Sequence, residues 1–180
     1  MYREFTEEQL EHLLPFSHRR SPKRLSRKRW NPPRLPDSRQ EHGIPASNGE
    51  VFHLTFEDSR SDWKQLAHLE TDKEIEVEGV RYKKGAMLPY EPGRSVRIGC
   101  YTMEGMLWVW NAWQYTGAQG ESRLESHENF GGMIVEEIAN GYRYRCNEGR
   151  DDDDYDDLMF RIERTGEIKP LRERSATRSR

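Results

Sequence analysis

Cysteine is nearly missing from this sequence. Cys100 and Cys146 are the only two, each in a strand-like run with no partner at motif spacing. That excludes a disulfide framework and a clustered zinc site, and it fits a reducing, intracellular compartment. Long apolar runs are missing too. No stretch approaches the roughly 20 residues needed to span a bilayer, so no membrane association is expected. Glu4, Glu7, Glu8 and Glu11 break up the N-terminus and leave no apolar core for a signal peptide. Apolar residues are scarce overall, 33% against 34% charged, which is lean for a packed globule. They concentrate between Val51 and Ile168, so one domain with looser ends is expected.

Catalytic patterns are lacking as well. No Ser/His/Asp order or carboxylate constellation stands out. Gly131-Gly132 is followed by no helix and lysine that would make a phosphate cradle. His12, His18, His42, His53, His68 and His127 show no paired metal-ligand spacing. The acidic run from Glu148 to Asp157 places seven acids in ten residues. Counted from Asp151, however, a calcium loop would need Gly and Glu where Asp156 and Ile162 stand. It reads as a solvated loop, or as a partner for basic segments. The expectation is a protein that is not an enzyme, with no cofactor and no metal.

What is present is strand pattern. Ile75 and Val77 alternate with Glu74, Glu76 and Glu78, the period of a half-buried strand. Glu78-Gly79 turns the chain into Val80-Arg81-Tyr82, and Gly85 closes the arm of this hairpin. Val51–Phe56 reads as a first strand, and Trp63, Leu66 and Leu69 as a helical turn or irregular packed segment. Ser95–Met103 and Met106–Tyr115 form a strand pair joined at Glu104-Gly105. After a polar loop over 117–132 come Met133–Ile138, a turn at Asn140-Gly141, the strand Tyr142–Cys146 and a last strand, Leu158–Glu163, ended by Thr165-Gly166. Short strands at this spacing predict an all-β fold: a single antiparallel, partly open barrel with short helical turns. The domain is placed at residues 48–168, after a basic arm over 1–47 and before a basic tail over 169–180, both expected to be disordered.

The arm is distinctive. Residues 3–14 have apolar spacing close to that of a short helix, with Thr6 placed to cap it. Residues 17–36 then hold eight Lys or Arg, four Pro and no acid. Arg19, Arg20, Lys23, Arg24, Arg27, Lys28 and Arg29 suit nuclear import or contact with a nucleic-acid backbone, and a solvated linker is the plain alternative.

Aromatic residues crowd one strand. Trp113 and Tyr115 share a face with Val109, whereas Trp108 and Trp110 share the other face. One set belongs to the core and the other to a surface, and periodicity alone does not say which.

In this order, the motifs resemble those of the bromo-adjacent homology (BAH) family of chromatin proteins. Val77, Gly79, Tyr82 and Gly85 follow its opening hairpin pattern, with Ala86 where the family has an acid. Trp113-Gln114-Tyr115 keeps the spacing of its aromatic element, followed by Thr116-Gly117 where the family has Arg-Pro. Ser126-His127, the strand Gly141–Cys146 and the closing Asp157, Arg161 and Glu163 complete the resemblance, over residues 48–165. The resemblance implies a nuclear, chromatin-associated interaction module, acting in gene silencing or other regulatory complexes, that binds a histone tail or nucleosome. It further implies an aromatic cage for a methylated lysine, with Trp113 and Tyr115 as walls. The third-wall position falls on Ser95, for which Tyr90 is the candidate substitute. His127 and Glu128 are implied as peptide-backbone contacts. The rival expectation is nucleic-acid or nucleosome binding through the basic arm, with the β domain as a scaffold.

Overall fold

A chain this poor in apolar residues buries enough of them only by wrapping strands around one interior. A computed structural model describes residues 38–126, 131–149, 152 and 154–170. Every regular element among them is a strand. In chain order these are β1 (Ser38–Arg39), β2 (His42–Pro45), β3 (Glu50–Asp58), β4 (Lys64–Val77), β5 (Val80–Pro89), β6 (Ser95–Tyr101), β7 (Met106–Thr116), β8 (Ser122–Glu125), β9 (Gly132–Ile138), β10 (Gly141–Asn147) and β11 (Leu158–Ile168). All ladders are antiparallel. Neighbours run β1-β9-β10-β11-β3-β6-β4-β7-β2, with β5 against β4 and β8 against β7. The sheet is an almost closed barrel with one unsealed seam.

The expected all-β class and antiparallel barrel are therefore present. The hairpin at Glu78-Gly79 is also as expected. Both residues take positive φ, 49° and 87°, as a two-residue turn matching strand twist requires. The Asn140 turn is displaced by one residue. Gly141 pairs with Ile138, so Ala139 and Asn140 form its centre. Gly141 is needed for another reason: a Cβ there would sit 2.0 Å from the Ile162 carbonyl oxygen.

Several expectations are corrected. Trp63, Leu66 and Leu69 form no helical turn, because Lys64–Val77 is one long strand. Gln65 to Leu69 are all buried. Burial on both faces erases the polar/apolar alternation by which a strand is recognised. Thr165-Gly166 does not end β11. The register shifts between Arg164 and Ile168, a bulge in which Gly166 takes φ 77°. The loop expected over 117–132 contains β8, which pairs with β7 from Trp113–Glu125 to Thr116–Ser122. The sheet also begins ahead of residue 48, since β1 pairs with β9 and β2 with β7. The helix at 3–14, the rest of the basic arm through residue 37 and the tail over 171–180 lie outside the described residues.

Phe52, Leu54, Phe56, Leu69, Val96, Ile98, Leu107, Val109, Phe160 and Ile162 fill the interior, each 1% exposed or less. Cys100 and Cys146 lie among them as free thiols. Burial pushes Cys100 up to about 12 and Cys146 well above the ordinary thiol range.

β1 and β2 end the sheet path on either side of the seam, which side chains bridge. His42 Nδ1 lies 2.9 Å from Tyr144 Oη, and the His42 ring meets Tyr142 edge-on at 4.6 Å. Asn111 Nδ2 donates to the Asn147 carbonyl at 2.9 Å.

Candidate functional site at the barrel rim

The strands that carry the aromatic cluster run past one end of the barrel, and this places the site. On β7, Leu107, Val109 and Trp113 are wholly buried. Two residues beyond Trp113, on the same strand face, Tyr115 comes out half-buried at the rim. β4 lies alongside in a register pairing Gln65 with Trp113 and Lys64 with Gln114. One step further, Trp63 reaches Tyr115, and the two rings stack at 4.8 Å with 26° between their planes. β8 flanks the other side, with Glu125 opposite Trp113 and Arg123 opposite Tyr115. The rim therefore consists of the row Trp63–Tyr115–Arg123 above the row Gln65–Trp113–Glu125.

Hydrogen bonds fix this geometry. Tyr115 Oη donates to Glu125 Oε1 at 2.6 Å, and that bond holds the phenol above its usual range. An Arg123 Nη lies 2.5 Å from Glu121 Oε1. Beneath, Glu148 is fully buried and Gln65 Nε2 donates to its Oε2 at 2.6 Å. Ser61 Oγ donates to the same oxygen, and the Trp63 amide donates to Ser61 Oγ at 2.9 Å. The Glu148 amide in turn donates to Asp157 Oδ2 at 2.7 Å. Burial, reinforced by the charges of Glu148, Asp152 and Asp154, pushes Asp157 up to about 7. Asp152, Asp154 and Asp157 each place a carboxylate oxygen within 4.8 Å of the others. Exposed acids gather in this way without an ion, so the cluster alone defines no cation site. Trp113 Nε1 and Tyr155 Oη are buried with no hydrogen-bond partner.

The expected cage is not assembled. Trp113 is 0% exposed, and a Cβ added at Gly149 would lie 3.1 Å from its ring. It is an interior group, because β7 passes through the barrel end before it emerges. Tyr90 packs edge-on against Phe56 at 5.7 Å, and Ser95 Oγ lies 3.1 Å from Thr55 Oγ1. Of the expected walls, only Tyr115 stands at the rim. On the other face of β7, Trp110 is 9% exposed and stacks on His68 at 3.9 Å. His127, Glu128 and the seven basic residues from Arg19 to Arg29 lie outside the described residues.

Sequence reasoning missed Trp63, Arg123, Glu125 and Glu148. The period-two series Trp63, Gln65, Ala67, Leu69 carried a signal for Trp63, but the helical reading of that segment hid it. Among the described residues no helix is long and apolar enough to cross a membrane. Comparison with protein-family models, with curated proteins and with solved structures finds no match.

Proposed function

We propose that this protein is a non-enzymatic binding module that receives a basic peptide segment at the rim of its barrel. The observation that carries the reading is the half-buried Trp63–Tyr115 stack beside the carboxylates of Glu121 and Glu125. Aromatic faces attract cations by roughly 0.5–2 kcal/mol per contact. Carboxylates beside them add charge-assisted hydrogen bonds and steer a basic partner inward. With the sequence resemblance, this makes a histone tail in the nucleus, presented within a chromatin regulatory complex, the favoured partner. The basic arm supports a second reading, nucleosome or nucleic-acid contact, because its residues 17–36 concentrate eight cationic residues with no acid.

Fluorescence anisotropy with labelled histone-tail peptides on the full chain tests both. The rim reading expects Tyr115→Ala to weaken peptide binding about tenfold or more. It expects neutralisation of Arg27, Lys28 and Arg29 to leave that binding intact while weakening DNA binding. Equal peptide affinities for wild type and Tyr115→Ala would remove the rim as the binding surface.

A further inference from the structure

We propose that the rim selects arginine over lysine or methylated lysine in the incoming peptide; this rests on the binding reading above. Holding a methylammonium group requires several aromatic walls standing around a hollow. Trp63 and Tyr115 instead lie face to face at 4.8 Å, so the space between them is closed. The other positions expected around the cage supply no further wall: Trp113 is sealed in, Tyr90 packs edge-on against Phe56, and Ser95 is exposed beside Thr55 and carries no ring. What the rim offers is a flat aromatic surface with a carboxylate beside it. A guanidinium matches that arrangement, because it is planar, stacks on rings and donates through a rigid fork that a compact ammonium lacks.

The chain itself uses this pairing of ring, arginine and acid. The Arg81 guanidinium lies 4.7 Å from the Tyr101 ring centroid while its Nε lies 3.3 Å from Glu76 Oε2. The Arg164 guanidinium lies 5.3 Å from the Phe52 ring centroid and is paired with Glu50. At the rim, Arg123 stands in register with Tyr115 and is paired with Glu121, so guanidinium chemistry already borders the stack. Glu125, positioned by the Tyr115 hydroxyl, is the carboxylate assigned to the partner's arginine.

The test uses the full chain and three peptides identical except at one position, carrying arginine, lysine or trimethyllysine. Arginine is expected to bind about tenfold more tightly than either alternative. Tyr115→Phe keeps the ring but releases Glu125, and it is expected to erase most of that preference. Glu125→Gln is expected to do the same through the acceptor itself. Trimethyllysine or lysine binding as tightly as arginine overturns the selectivity and leaves the basic-peptide reading standing. A preference for arginine that survives both substitutions overturns the role given to Glu125. No binding by any of the three overturns the selectivity and the reading beneath it together.

Discussion

The waist of the barrel and its rim end are held by different physics. At the waist, Phe160 stacks on Tyr144 at 4.6 Å and meets Phe56 at 6.3 Å, and the packing is apolar apart from the Tyr144 hydroxyl, which meets His42. At the rim end, Gln65, Asn111, Asn147, Glu148 and Asp157 are buried and polar. They stay buried only because each reaches a partner, since an unsatisfied group inside a protein costs on the order of 1–3 kcal/mol. Apolar packing tolerates any pH, whereas a buried polar network does not. The difference teaches where this fold resists change and where conditions act on it.

Removing a ring from the waist gives the largest expected effect. Phe160→Ala should cost about 3–5 kcal/mol, read as a shift in the urea denaturation midpoint with an unchanged slope. Next comes the seam. Burial, aided by the nearby Arg39 charge, holds His42 down at about 4 against an ordinary 6.5. Its contribution is therefore fully present above 6.5 and lost as pH falls through 4, a loss of up to about 3 kcal/mol. Denaturation midpoints measured from pH 7 down to 4 in an Asp157→Asn background, which removes the opposing titration of Asp157, should fall, and the profile should flatten when His42→Gln is added.

At the rim end, Glu148→Ala leaves the donors of Gln65 and Ser61 without their shared acceptor, and about 2–3 kcal/mol of stability should go with it. Asp157 carries the opposite pH sign to His42. Its folded value of about 7 exceeds the ordinary 3.8, so its contribution is complete below 3.8 and disappears as pH rises through 7. Asp157→Asn should raise stability at pH 8 by about 1–2 kcal/mol and remove the decline. With the His42 titration removed, a flat profile of His42→Gln between pH 5 and 8 would show that Asp157 titrates normally. The smallest stability effect belongs to Tyr115→Ala. Its denaturation midpoint should stay near that of the wild type, and the change should appear in peptide binding.

The waist was largely legible in the sequence and the rim was not. The Val77–Val80 hairpin announced itself because a two-residue turn has a narrow chemistry, and the strands from Ser95 to Tyr115 because their apolar content is dense. β4 was misread over its first half because a strand buried on both faces looks like any apolar run. β1 and β8 were invisible, being two and four residues long and held by partners far away in sequence. The choice between Trp113 and Tyr115 turned on where a strand leaves the barrel. Parity assigns both to one face, but only the position of the barrel's end decides that one is sealed and the other reaches water. Trp63 joins Tyr115 through a register set by β4 and β7 together, which neither segment reveals alone.

The two thiols make the barrel its own clock. Cys100 on β6 and Cys146 on β10 are both sealed and strongly disfavour the reactive thiolate. An alkylating reagent can modify them only in the instants when a wall parts. Because they sit in different strands, unequal modification rates would report which wall parts first.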